Sequence, residues 1–198
     1  DDVSAPVIEK LKSYGIKYIA TRSTDTTHID NNAAAAAGIK VANVPEYSPE
    51  SIAEHAIALV MALNRKTFTA ETQTKQFDFR LDGLQGFCLY QKTVGLIGLG
   101  KVGLALANIL KGFGCIVQAY DPFVVKVPKG VSMVSLNQIL KTSDILSLHA
   151  PLAADTKNII NKQSLAQMKK GAMLINTSSG GLVDTEAVIE SLKKGHLG

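Results

Sequence analysis

The chain has 198 residues, of which 46% are hydrophobic and 19% charged, with a formal net charge of +4. That balance supplies a core and excludes a disordered chain. No apolar run reaches the roughly 18 residues of a membrane span, and the lysines are scattered rather than interleaved with aromatics, which argues against a membrane protein and a nucleic-acid surface.

The opening Asp1-Asp2-Val3 is acidic and does not read as a signal peptide. Val7, Ile8 and Leu11 mark a first helix, ended by Gly15, and a strand follows over Ile16 to Ala20. A polar loop, Thr21 to His28, leads to a helix from Asn31 to Ala37 that stops at Gly38, and then a strand, Ile39 to Asn43. This β-α-β piece has too few strands to stand alone. Ser48-Pro49-Glu50 combines an N-cap, a first-turn proline and a carboxylate that suits the helix dipole. The apolar residues that follow, to about Arg65, cover much of the helix surface and predict a helix buried between two bodies. Residues 1–47 are thus expected to form one partial domain and residues 48–198 another.

From Gln91 the pattern is strand-helix-strand repeatedly. Strand cores are expected at Val94–Ile97, Ile116–Ala119, Val131–Val134, Ile145–Leu148 and Met173–Ile175, with helices at Val102–Leu110, Leu136–Leu140 and Lys162–Met168. Apolar strands without polar alternation, joined by helices, predict an α/β fold with a doubly wound parallel sheet. A last helix, Thr185 to Lys194, follows the N-cap Asp184 and ends at Gly195, after which a further strand is expected. Cys88 and Cys115 have neither CxxC spacing nor a paired His, so they read as reduced, partly buried thiols of a cytoplasmic protein, with no metal site.

The most informative stretch is Gly98-Leu99-Gly100-Lys101-Val102-Gly103, a GxGxxG directly after a strand and opening a helix. Gly98 permits the tight turn, Gly100 lets the backbone approach a pyrophosphate, and Gly103 lets helix and strand pack closely. The helix N-terminus offers N–H groups and a partial positive charge to the phosphates. Asp121 follows the next strand, where a carboxylate accepts hydrogen bonds from ribose hydroxyls and repels a 2′-phosphate. The combination predicts a Rossmann domain for NAD rather than NADP.

Four stretches carry a resemblance over essentially the whole chain: Tyr47–Ala56, Thr93–Gly103, Asp144–Leu152 and Asn176–Asp184. Together they resemble the D-isomer-specific 2-hydroxyacid dehydrogenases, most closely the D-lactate dehydrogenase branch. The resemblance implies a coenzyme domain inserted into a flavodoxin-like substrate domain, with residues before about Ser48 belonging to the latter and more chain expected at both ends. It implies hydride exchange between NAD(H) and a small 2-oxo or 2-hydroxy acid, and a homodimer formed through the NAD-binding domain. By position, Gly98, Gly100, Lys101, Val102 and Gly103 are similar to the pyrophosphate loop and Asp121 to the ribose-binding acid. Ala150, Pro151 and Thr156 resemble the loop lining the cofactor beyond the fourth strand. Thr177 and Ser178 resemble the loop beneath the nicotinamide, while Thr24, Asp25 and Tyr47 resemble substrate-facing elements.

The family's chemistry uses an Arg for the substrate carboxylate, a His as general acid and a Glu to hold that His. The catalytic Arg belongs after Asn176-Thr177-Ser178, where this chain has Ser179, which cannot form a bidentate charge-assisted pair. The Glu and His are expected beyond Gly198, so this chain by itself is expected to turn over poorly. Asp25 stands where the family usually has Gly, and its carboxylate repels an anionic substrate unless it points away. His149 reads as a hydrogen-bonded structural histidine and His55 as a packed one. An alternative on the same fold is a non-catalytic NAD(H) sensor or corepressor-like protein. A short-chain dehydrogenase is disfavoured because no Tyr-x-x-x-Lys pair occurs, and a methyltransferase because of the Asn176–Ser179 loop.

Overall fold

The structure, a computed structural model, describes residues 2–45 and 47–198. The chain divides into two compact units, Asp1–Ser48 and Pro49–Gly198.

In the first unit, α1 (Ala5–Ser13) and α2 (Asn31–Ala36) accompany two parallel strands, β1 (Tyr18–Ala20) and β2 (Lys40–Ala42). Its core is small: Ile8, Ile29, Ala34 and Ile39. The strands start later than the sequence suggested, for one physical reason. The Ile16 N–H closes α1 by donating to Leu11 O, and the Ile39 N–H closes α2 by donating to Ala34 O. Each donor is thereby removed from strand pairing. Asp30 caps α2 through the Ala33 N–H.

The second unit opens with α3 (Pro49–Asn64) and α4 (Thr67–Lys75), then β3 (Thr93–Ile97), α5 (Lys101–Gly112), β4 (Ile116–Tyr120), β5 (Val131–Met133), α6 (Leu136–Thr142), β6 (Ile145–Leu148), α7 (Lys162–Gln167), β7 (Met173–Asn176) and α8 (Thr185–Lys193). The five strands form one parallel sheet in the order β5-β4-β3-β6-β7. The strand order reverses between β3 and β6, so a crevice opens beyond their carboxyl ends, where open α/β sheets bind ligands. One face of the sheet packs on α3 and α5 through Ala53, Ala56, Val60, Leu106 and Leu110. The other is covered around Ile139, Leu140, Leu165 and Leu182, contributed by α6, α7 and the turn before α8. The strand expected past Gly195 is represented, among the described residues, by a single parallel bridge between Ala172 and Leu197.

Three expectations are corrected. The buried surface of α3 is one stripe, Ala53, Ala56, Val60 and Asn64, and Leu63 is 48% exposed, so the helix is not enclosed on every side. His55 on α3 is exposed rather than packed. Cys88 is exposed, and only Cys115 is partly buried. The segment before β3 also holds α4, which the hydrophobic pattern did not signal. None of its residues is buried, and it draws on local bonds such as Lys75 Nζ to Glu71 Oε1 at 2.6 Å and Thr74 Oγ1 to Ala70 O at 2.8 Å. No helix is long and apolar enough to cross a membrane among the described residues.

Candidate functional site

The turn between β3 and α5 sits at the strand-order reversal. Its three glycines are required for different reasons. Gly98 has φ +95°, and a Cβ there would lie 2.6 Å from His149 C. A Cβ on Gly103 would lie 2.3 Å from Gly98 O, so only glycine lets α5 start this close to the strand end. A Cβ on Gly100 would meet nothing within 4 Å, so the space over its backbone is open to a ligand. Gly100 is the N-cap of α5, and Lys101 and Val102 are its first residues. The N-terminus of the helix, with its partial positive charge, is therefore set at the crevice.

Asp121, just past β4, braces this turn. Its Oδ2 accepts the Leu99 N–H at 2.8 Å and its Oδ1 accepts the Phe123 N–H at 2.9 Å. Each carboxylate oxygen retains acceptor capacity toward a diol. Gly98, Gly100, Asp121, Ala150, Pro151 and Thr156 line a single cavity of about 350 Å³. Its wall past β6 is held by Thr156 Oγ1, which donates to Pro151 O at 2.7 Å and accepts the Ala153 N–H at 2.7 Å. The sequence did not point to Phe123, Leu136 and Ile159, which add apolar wall to the same cavity. Phe123 directly follows Asp121-Pro122, and that adjacency was the available signal. An apolar slot with a carboxylate at one end, and at the other a helix N-terminus with open space over Gly100, matches an adenosine joined to a pyrophosphate, so the residues present fit a dinucleotide.

Thr177 and Ser178 follow β7 and line a second opening, about 410 Å³, with Ser51 and His55 of α3. Ser178 Oγ donates to Leu148 O at 3.1 Å, tying this loop to β6. Ser179 is half-buried. It caps the short 3₁₀ turn Gly180–Leu182 by accepting the Gly181 N–H at 3.3 Å. His149 ends β6 with Nε2 2.9 Å from Ser147 Oγ. Burial lowers its pKa to about 4, so it has no proton to give as a general acid near neutrality. This agrees with a structural role for that residue.

The residues proposed to face substrate lie in the first unit. Tyr47 Oη donates to Arg22 O. Asn43 Nδ2 donates to Thr24 O at 2.6 Å. Asp25 is exposed, and its Oδ1 accepts from the Thr27 hydroxyl at 2.5 Å and the Thr27 N–H at 2.7 Å. Those bonds, the hydroxyl first, hold its carboxyl below the usual range. A larger, more open cavity of about 540 Å³ lies between α7 and α8, away from the strand ends, and none of the candidate cofactor or substrate residues lines it.

Residues 57–198 match the model of the family described as D-isomer specific 2-hydroxyacid dehydrogenase, NAD binding domain. A D-lactate dehydrogenase of Escherichia coli (strain K12) is 45% identical over 200 residues, covering all of this chain and 61% of that protein. The apo-structure of D-lactate dehydrogenase from Escherichia coli superposes with a TM-score of 0.95 at 44% identity, over all of this chain and 63% of that one. D-lactate dehydrogenase from Aquifex aeolicus, solved with NAD and lactic acid, gives a TM-score of 0.84 at 36% identity, over all of this chain and 60% of that one. The chain spans about three fifths of the length of the curated relatives it matches.

Proposed function

Since this chain belongs to the D-isomer specific 2-hydroxyacid dehydrogenases through their NAD binding domain, we propose that the protein is an NAD(H)-dependent oxidoreductase interconverting a 2-oxo acid and a D-2-hydroxy acid, in the manner of a D-lactate dehydrogenase. The observation that carries the reading is the cradle formed by Gly98, Gly100, Gly103 and Asp121 at the strand-order reversal. When bound, the nicotinamide cofactor supplies or accepts the hydride. The protein's share is to hold and orient it. The first turn of α5, with Lys101 and Val102, faces the pyrophosphate, and Asp121 receives the ribose hydroxyls. Ala150, Pro151 and Thr156 wall the adenosine. The Thr177–Ser178 loop supports the nicotinamide end. Thr24, Asp25 and Tyr47 are assigned to the substrate side.

Asp121 favours NAD over NADP, because a 2′-phosphate brought to that carboxylate meets like charge. Ser179 weakens hold on the substrate carboxylate relative to the Arg of the family resemblance. The reading extends to a cytoplasmic location and to a homodimer through the second unit. Support for the dimer comes from Phe68, Phe77, Phe79 and Leu81 on and after α4, each 71% exposed or more. Phe77 also holds a left-handed backbone at φ +57°, unusual for a bulky residue, and Arg80 braces the turn through Asp78 at 2.7 Å and 2.9 Å.

The test is a fluorescence titration with NADH and NADPH, followed by assay of 2-oxo acid reduction. Saturable NADH binding, tighter than NADPH by tenfold or more, and D-specific product are expected. Equal binding of the two cofactors would remove the role given to Asp121. Binding of neither would remove the reading.

A further inference from the structure

Two polar side-chain atoms near the strand ends, His149 Nδ1 and Thr177 Oγ1, are buried without a hydrogen-bond partner. Native interiors rarely tolerate such an atom, and these two lie just past adjacent strands. Leu148 pairs with Asn176 across β6 and β7, the last pair of that register, and His149 and Thr177 are the next residue past each strand. They also share a face. Ile145, Met173 and Ile175 point into the core under α3 and α5, whereas Leu146 and Leu148 point into the opposite one, and alternation carries His149 and Thr177 to the first. A Cβ on Gly103 of α5 would lie 3.8 Å from His149 Cβ, and Thr177 lines the opening beside Ser51 and His55 of α3.

The proton on the imidazole can be assigned. Ser147 is 1% exposed, and its hydroxyl needs an acceptor. Nε2, 2.9 Å away, is the partner it has. Ser147 therefore donates to Nε2, and the neutral ring carries its hydrogen on Nδ1, the buried nitrogen without a partner. We propose that one buried water accepts from His149 Nδ1 and donates to Thr177 Oγ1, making His149 a positioning residue that ties the Asn176–Ser178 loop to the base of the Gly98–Gly103 turn. Two to four polar partners are usual for such a water. The depressed pKa of His149, about 4, keeps the ring neutral and the brace unchanged near pH 7. The turn is coupled to it directly, since Gly98 packs on the His149 carbonyl carbon and the Ala150 nitrogen. That the brace serves the nicotinamide end rests on the cofactor reading above; its existence does not.

The experiment is a double-mutant cycle on NADH affinity, combined with imidazole ¹⁵N NMR of the ligand-free protein. Thr177→Val and His149→Leu are each expected to weaken NADH binding roughly tenfold, the size of one lost buried hydrogen bond. The double variant is expected to lose no more than either single one, and Thr177→Ser, which keeps the hydroxyl, to bind like the parent. The NMR spectrum is expected to show a neutral ring protonated at Nδ1, with that proton's signal moved by Thr177→Val. An additive loss of roughly a hundredfold in the double variant, or a Thr177→Ser protein as weak as Thr177→Val, overturns the proposal. So does a ring protonated at Nε2, a result that needs neither cofactor nor variant. A parent protein that binds no NADH would sink the cofactor reading instead, and the NMR spectrum would still decide the brace.

Discussion

The glycines of the turn separate two properties that are usually lost together. Gly98→Ala must place a Cβ against His149 at a backbone conformation alanine avoids, so both folding and cofactor binding suffer. Gly100→Ala meets no protein atom, so it should leave the melting temperature within a few degrees and still weaken NADH binding tenfold or more. A thermal scan beside a titration checks the pair, and equal damage to stability would show that the space over Gly100 is not where the pyrophosphate lies. Ser179 makes a weak cap at an extended backbone, so Ser179→Arg strains nothing. In the full-length protein the change should raise kcat/KM for a 2-oxo acid at least about a hundredfold, since a bidentate charge-assisted pair is formed; steady-state kinetics decide it. His149 sets a pH dependence. Its folded pKa of about 4 lies below the ordinary 6.5, so between those values the unfolded chain binds the proton that the folded one refuses. Stability from this residue is therefore complete above about pH 6.5, falls as pH drops toward 4, and is lost by roughly 3 kcal/mol below it. Denaturation at pH 7 and pH 4, compared with His149→Gln, measures the difference, and identical pH slopes would exclude His149 as the source.

Elements were legible in the sequence where one signal dominated. The central strands β3 and β6 showed as short apolar runs, because each is covered on both faces, and α8 showed through its cap: Asp184 does accept the Ala187 N–H, at 3.1 Å. Asp184→Ala should cost about 1 kcal/mol of stability, visible as a lower denaturant midpoint with unchanged NADH affinity. A change in affinity instead would mean that α8 reaches the cofactor site. Competing local bonds hid the rest. The ends of β1 and β2 were misplaced because Ile16 and Ile39 close helices before they can pair in a sheet. Helix α4 was invisible to a hydrophobic pattern because it buries nothing. At the site, the glycines and Asp121 could be read from spacing alone. Phe123, Leu136 and Ile159 could not, because apolar side chains carry no signature of the cavity they line until the sheet order brings β4, α6 and the segment after β6 together.

At the scale of the whole molecule, the apolar run after α4 stands exposed. Its residues Phe77, Phe79 and Leu81 have the apolar character expected of the proposed dimer contact. If the proposed homodimer forms through this run, Phe79→Glu should shift the protein from dimer to monomer in light scattering coupled to size exclusion; a species that stays dimeric would assign the contact elsewhere. A different consequence follows from Asp121. Its two oxygens hold the backbone of Leu99 and of Phe123, so the residue expected to choose between NAD and NADP is also a staple between the turn after β3 and the turn after β4. Changing cofactor preference at this position removes the staple as well, and a lineage moving toward NADP would first need another way to hold the turn. The preference is in that sense tied to the architecture, and its reversal calls for a second change that holds the turn.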